Sequence, residues 1–194
     1  MLIEEIGEDA TEGMLSCFSC PMNPDVEHFL KHNAIDFAKQ GKSQTHLVIQ
    51  LVNGKPAILG YYTLVNKPIT VEKDAIGSKT KEKLIAKFSE DNEALGCYVM
   101  ALPLIAQLGK NYAEGLNEHL NGIDLLKSAC EKIKGIQRDI GGRYTYVECE
   151  EKEKLLSFYE RNDFVRFGKR DLDAKEQEGH GETYLVQLLK CIKT

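Results

Sequence analysis

Cys97-Tyr98-Val99-Met100-Ala101-Leu102-Pro103-Leu104-Ile105-Ala106-Gln107-Leu108-Gly109 is a nearly unbroken apolar run. A segment without a polar face has no side to turn to water, which predicts a central strand buried on both faces. Pro103 predicts a break in it, because proline has no N–H to give to a ladder. Beyond the run, Gly122 to Ile133 sets Leu125, Leu126, Ala129 and Ile133 at helical spacing. The loop between strand and helix therefore ends at a helix N-terminus, where free N–H groups and the helix dipole favour an anion.

Further along the chain, Gly141-Gly142 reads as a turn and Tyr144 to Cys149 as a strand of alternating type. Lys152 to Arg161 reads as a helix, Phe164 to Phe167 as a short strand and Thr183 to Cys191 as a last strand. Before the run, Asn23-Pro24-Asp25 starts a helix whose stripe is Val26, Phe29, Leu30, Asn33, Ala34 and Phe37, ending near Gln40-Gly41. Thr45 to Val52 and Ala57 to Val65 are strands joined through the two-residue turn Asn53-Gly54. Asn66 to Ser78 reads as irregular, and Lys79 to Phe88 as an exposed, Lys-rich helix. Helices interleaved with strands predict a mixed α/β (α+β) layer fold, and the length suits one domain over 1–194.

The net charge of −5 leaves no global basic field for nucleic acid. No apolar stretch approaches the roughly 20 residues that cross a bilayer, so no membrane partner is expected. The start, Met1-Leu2-Ile3-Glu4-Glu5, lacks the basic residues of a secretory signal, and a cytoplasmic protein is expected. The six cysteines are then expected as reduced thiols. Cys17-x-x-Cys20 with His28 and His32 has the donor types for zinc. Only seven residues separate Cys20 from His28, against about 12 in finger-type sites, so no metal is expected.

Two segments carry a resemblance. One is Ile105-Ala106-Gln107-Leu108-Gly109-Lys110-Asn111, followed by a loop reaching Asn117-Glu118-His119-Leu120-Asn121-Gly122. The other is Leu155-Leu156-Ser157-Phe158-Tyr159-Glu160-Arg161-Asn162-Asp163-Phe164. Together they resemble the GNAT superfamily of N-acetyltransferases. Its members pair a strand and pyrophosphate loop, usually written Q/R-x-x-G-x-G/A, with a later F-Y-E-x-x-G-F helix end. Phe18-Ser19-Cys20 with its helix, and Gly60-Tyr61-Tyr62-Thr63-Leu64, are similar to the subgroup containing toxin-type acetyltransferases. The likeness covers most of Phe18 to Lys190 and is weakest over Asn66 to Ala94. Asn117 stands where Gln or Arg is usual, Leu120 where the first Gly is usual, and only Gly122 keeps the pattern. The loop is also longer than in toxin-like relatives. Asp163 replaces the usual Gly, and Lys152 lies where an Asn touching the pantetheine arm is common.

The resemblance implies a single-domain GNAT-like fold: a central, mostly antiparallel twisted sheet splayed at the cofactor cleft, with helices on both faces. It implies acetyl transfer from acetyl-CoA to a primary amine of a small molecule, peptide or protein. A homodimer is among the assemblies it allows. Two other readings stay open. One is a toxin-type enzyme modifying aminoacyl-tRNA, for which Lys67, Lys73, Lys79, Lys81, Lys83 and Lys87, then Arg161, Arg166, Lys169 and Arg170, are local basic stretches. The other is a CoA-binding module without catalysis.

On that reading, backbone N–H groups from Leu120 through Asn121 and Gly122 to Ile123 hold the pyrophosphate, with Asn117 and His119 on the same loop. Leu120 would narrow the approach. The pantetheine arm pairs with a strand edge at Leu108, Gly109 and Lys110, and the N–H of Leu108 or Gly109 polarises the thioester carbonyl. The plainer reading of this segment is a strand, a turn and a helix. Tyr159 is the expected general acid for the departing thiolate; its plainer reading is a core tyrosine. Glu148 and Glu150, sharing a strand face at i, i+2 spacing, are the candidate bases or else solvated carboxylates. His119 reads as a loop side chain near the cofactor. His46 and His180 show no partner in the sequence.

Overall fold

The computed structural model describes residues 2–73, 90–92, 94, 96–174, 176–177 and 183–192. The helix expected over Lys79 to Phe88, its lysines, and His180 lie outside the described residues. The helices are α1 (Leu2–Ile6), α2 (Glu8–Ser16), α3 (Pro24–His28), α4 (Ala34–Lys39), α5 (Gly122–Ile140) and α6 (Glu153–Glu160). The strands are β1 (Gln44–Val52), β2 (Lys55–Glu72), β3 (Glu90–Asn92), β4 (Cys97–Lys110), β5 (Tyr144–Cys149), β6 (Val165–Asp171) and β7 (Tyr184–Cys191). This is the mixed α+β class expected. None of the described helices is long and apolar enough to cross a membrane.

The strands hydrogen-bond in the order β1-β2-β4-β5-β7-β6, with β3 on β4. The β1–β2, β3–β4, β5–β7 and β6–β7 ladders are antiparallel, and β4–β5 is parallel. That parallel ladder consists of Leu104↔Tyr146 and Ile105↔Val147. Contacts gather into two compact units, one of Met1–Val65 with Ala106–Ala129, the other of Asn66–Ile105 with Cys130–Thr194.

In the first unit, Asn23 caps α3 by accepting the Val26 N–H at 3.4 Å, with Pro24 at the first helical position. The helical stripe continues through a π turn at Phe29–Asn33 into α4. The turn Asn53-Gly54 has φ of 52° and 78°, the positive pair that a two-residue hairpin demands. Phe18, Val26, Leu30 and Tyr61 form the centre of one hydrophobic cluster. The Tyr61 hydroxyl donates to the Val26 carbonyl at 2.5 Å. Gly109 is enclosed there: an added Cβ would stand 2.4 Å from Val26 Cγ1.

In the second unit, β5 is buried along its length except at Glu148, which is half-buried. The alternation expected for it is absent, since residues of both parities are buried. Tyr146 packs edge-on to Phe167 at 6.4 Å. Gln137 on α5 donates to the Tyr144 carbonyl at 2.8 Å, and Gly141 and Gly142 turn the chain at φ of 84° and 104°.

Further expectations need correction, among them the short strand over Phe164 to Phe167, which runs from Val165 to Asp171. β2 runs on to Glu72 through the stretch read as irregular, with Ile69 and Val71 buried between exposed Pro68, Thr70 and Glu72; this is period-two burial. β4 is not broken at Pro103. The Thr145 hydroxyl donates to the Pro103 carbonyl at 2.8 Å, and the ladder to β5 starts at the next residue, so on that edge the missing N–H lies outside the paired residues. Finally, α5 extends to Ile140, well past Ile133.

Candidate active site

The first unit holds the loop. Leu108 and Lys110 are half-buried at the end of β4, beyond its last pair with β5, and Gly109 is buried between them. The chain then enters Asn111, which is 2% exposed. Its Oδ1 accepts the Ser19 N–H at 2.9 Å and the Ala113 N–H at 3.0 Å. Its Nδ2 donates to the Ile58 carbonyl at 2.8 Å, and its own N–H to the Leu59 carbonyl at 2.8 Å. Three of the four bonding sites of this buried side-chain amide are used, so the start of the loop is fixed to β2 and to the N-terminal segment. A 3₁₀ turn follows over Ala113–His119, with Glu114 and Gly115 at φ of 51° and 77°. His119 and Asn121 are exposed and Asn117 is half-buried.

Leu120 is extended, at φ −141° and ψ 128°. Its side chain does not narrow the loop as expected. A Cβ added to Gly60 would meet Leu120 Cδ2 at 2.9 Å and Leu125 Cδ2 at 3.3 Å. Leu120 therefore lies on the β2 backbone at Gly60. The Asn121 carbonyl accepts from Asp124 and Leu125, both at 3.1 Å, and Asn121 Nδ2 donates to Asp124 Oδ2 at 3.3 Å. The N–H groups of Gly122 and Ile123 have no such partner among the described residues, and Ile123 is 45% exposed. They open a helix of 19 residues. This arrangement fits a pyrophosphate: free donors at the positive end of a dipole, with the Leu120 side chain turned away.

The second unit holds Tyr159 on the last turn of α6. Its ring packs edge-on to Phe158 at 5.2 Å and Phe164 at 5.5 Å, and the residue is 8% exposed. Its hydroxyl has no hydrogen-bond partner among the described residues, unlike that of Tyr61. Burial, and then the neighbouring Cys149, hold its pKa above the ordinary tyrosine value, so the phenol keeps its proton at neutral pH. The helix ends with the Asn162 and Phe164 N–H groups both on the Tyr159 carbonyl, at 2.9 and 3.1 Å. Asp163 sits between them at φ 67°.

Glu148 and Glu150 have different surroundings. Glu148 Oε2 accepts from Arg170 Nε at 2.9 Å and Oε1 from Gln187 Nε2 at 2.8 Å, while Arg170 also grips Glu176 at 3.0 and 3.1 Å. Both Glu148 oxygens are thus occupied. β5 ends at Cys149, so Glu150 falls in the turn after it, and the shared strand face expected for the pair is not formed. Glu150 pairs with Lys152, the N-cap residue of α6, at 2.5 Å.

Among the cysteines singled out, Cys20 is buried in the first unit's core, which raises its thiol pKa, and Cys17 is exposed. The His28 and His32 rings lie 4.6 Å apart. The described residues contain no group of three or more His, Cys, Asp or Glu placed to hold a metal. Sequence reasoning missed Asn111 and Gly60 as builders of the loop. The signal for Gly60 was a glycine inside an apolar strand, which marks a close approach; Asn111 carried no signal beyond its place after the strand.

No protein-family model matches the chain, and no curated protein matches it in sequence. Solved structures do. A tyrosine-to-phenylalanine mutant of KacT matches with TM-score 0.63 and 19% identity over 93% of this chain and 91% of that one. AtaT complexed with acetyl-methionyl-tRNAfMet matches with TM-score 0.60 and 17% identity over 89% and 85%. A tyrosine-to-phenylalanine mutant of the AtaT toxin, bound to the C-terminus of the antitoxin AtaR and acetyl-CoA, matches with TM-score 0.58 and 15% identity over 92% and 85%. The chain has the fold of KacT and AtaT. At these identities the likeness is one of architecture, spanning nearly all of both chains.

Proposed function

We propose that residues 1–194 form one acetyl-CoA-dependent N-acetyltransferase domain of the cytoplasm. The observation that carries this is Tyr159: a buried ring whose hydroxyl is protonated and unclaimed by any described residue. A core tyrosine normally finds a partner for its hydroxyl, as Tyr61 does; the Tyr146 hydroxyl also has none, but it is sealed inside the second unit, where no substrate reaches it. A general acid needs its proton held and its oxygen free. Four of the matching KacT and AtaT structures carry a tyrosine changed to phenylalanine, which is the change that removes such a hydroxyl.

The Gly122 and Ile123 N–H groups would hold the pyrophosphate of CoA, with Leu120, Asn121, Asn117 and His119 shaping the loop. The backbone at Leu108, Gly109 and Lys110 would take the amide arm. Bound acetyl-CoA supplies the thioester. Tyr159 donates its proton to the sulfur as the acceptor amine displaces it. An N–H of Leu108 or Gly109 steadies the carbonyl oxygen as it gains charge. Glu150 suits the task of taking the amine's proton better than Glu148, whose two oxygens are held by Arg170 and Gln187. Glu148 is the better anchor for β6 and β7.

For the acceptor, the aminoacyl end of a charged tRNA stands first, because a protein of this fold was solved with acetyl-methionyl-tRNAfMet. A small-molecule, peptide or protein amine is the second reading. It is favoured by the pairing of the cations on β6: Arg166 with Glu160, Lys169 with Glu151, and Arg170 with Glu148 and Glu176. Cations already matched to carboxylates have less to offer phosphates. The test is acetyl transfer from labelled acetyl-CoA to a panel of charged tRNAs, peptides, polyamines and amino acids. Transfer to charged tRNA, weakening steeply with salt, supports the first reading, and transfer to free amines the second. Binding of acetyl-CoA with no transfer to any acceptor would reject catalysis.

A further inference from the structure

Glu150, the carboxylate better suited to take the acceptor's proton, already holds an amine. Its Oε2 lies 2.5 Å from Lys152 Nζ, with the Glu150 side chain 21% and the Lys152 side chain 60% exposed. The Lys152 backbone is fixed at the start of α6. Its N–H donates to the Glu150 carbonyl at 2.8 Å, and its carbonyl accepts from Leu155 and Leu156 at 2.9 and 3.0 Å. Tyr159 follows two helical turns later, so the two residues share a face of α6. Two turns span about 10 Å along the axis, and helical side chains lean toward the N-terminus, so the Tyr159 ring reaches back toward Lys152. After burial, the group that most raises the Tyr159 pKa is Cys149, the residue before Glu150. The phenol, the carboxylate and the ε-amine thus gather at the turn between β5 and α6, within the second unit.

We propose, resting on the acetyl-transfer reading above, that Lys152 is the chain's own first acceptor: its ε-amine takes the acetyl group of acetyl-CoA within the same molecule. Glu150 takes one proton from the Lys152 ammonium and passes it to water. The neutral nitrogen attacks the thioester carbonyl; a C–N bond forms and the C–S bond breaks. The departing sulfur takes the Tyr159 proton, and the second proton lost by the nitrogen restores the phenol through water. The net products are N-acetyl-Lys152, CoA and one proton. Acetylation turns the ammonium into a neutral amide, which ends the ion pair and frees Glu150 for an outside amine. The unmodified Lys152 therefore masks the base, and the first turnover unmasks it.

Incubation of the full chain with acetyl-CoA, followed by peptide mass spectrometry, is expected to show Lys152 acetylated about 10-fold or more faster than Lys154, its exposed neighbour. The rate constant should not change with protein concentration, because amine, base and acid belong to one chain. Tyr159→Phe should slow the Lys152 reaction by about 100-fold or more, whereas unassisted chemical acetylation would continue in that variant. A second measurement needs no turnover: CoA should shield Lys152, but not Lys154, from trace labelling by acetic anhydride, in the Tyr159→Phe chain as in the parent. Lys152→Gln, which carries a neutral amide, should acetylate an outside amine about 3-fold or more faster than Lys152→Arg, which keeps a cation beside Glu150. Both substitutions leave the backbone bonds of Lys152 in place. Transfer to an outside amine with Lys152 modified no faster than Lys154 overturns the proposal and leaves the acetyltransferase reading standing. Lys152→Gln no faster than Lys152→Arg overturns the unmasking of Glu150. No transfer to Lys152 or to any outside amine overturns both the proposal and the reading beneath it.

Discussion

Leu120 lies on Gly60, close enough that a single methyl group on the glycine would stand 2.9 Å from the leucine Cδ2. The position that most weakens the glycine pattern of the loop is therefore turned toward β2. Leu120→Ala is expected to leave CoA affinity unchanged by calorimetry and to lower stability by about 1–2 kcal/mol in denaturant titration, less than a fully buried leucine would cost. If the leucine instead crowded the phosphates, affinity would rise in the alanine variant.

Tyr159→Phe should lower turnover by about 100- to 10,000-fold while the Michaelis constant for acetyl-CoA changes little, because the hydroxyl acts only as the C–S bond breaks. Single-turnover rates and thermal stability measured on one sample decide the matter. Equal rates for the two proteins would return Tyr159 to a packing role.

Asp163 takes φ 67° at the end of α6, a conformation that costs a side-chain-bearing residue about 1 kcal/mol or more relative to glycine. Its carboxylate, 92% exposed, stands 3.8 Å from Lys190, and such a pair contributes little. Asp163→Gly should therefore stabilise the protein by roughly 0.5–1 kcal/mol, once the greater freedom of glycine in the unfolded chain is deducted. A shift of the denaturation midpoint to lower denaturant would contradict this.

Stability should fall on the alkaline side. Burial raises the pKa of Tyr61, Tyr146 and Tyr159 above the ordinary tyrosine value. Above pH ~10 the unfolded chain releases those protons and the folded chain keeps them, so the unfolded state binds fewer protons and unfolding becomes easier as pH rises. Each such tyrosine contributes a slope approaching about 1.4 kcal/mol per pH unit in that range. Tyr159→Phe should reduce the slope of stability against pH above 10 and leave it unchanged near neutrality.

Strand and helix identities were legible where periodicity and length agreed. Tyr144–Cys149 is bounded as read, and Leu125, Leu126, Ala129 and Ile133 are all buried. The extension of β2 past Val65 was not legible, because Asn66, Lys67 and Pro68 carry turn-like composition and only Ile69 and Val71 hold the strand's period. Pro103 misled for a related reason: whether a missing N–H matters depends on where a neighbouring ladder begins, which is a long-range fact. The loop's position before a helix could be read from residue order. The direction in which Leu120 points could not, since Gly60 is far away in sequence. Glu148 and Glu150 were separated by a strand that stops one residue short of the second.

The four hydrogen bonds of Asn111 have a kinetic consequence. The N–H groups of Ser19, Asn111 and Ala113 depend on that one residue, and the Tyr112 N–H donates at 2.7 Å to the same Ser19. They should open together, with one common protection factor, so that loosening the segment before α3 also loosens the entry to the loop some ninety residues later.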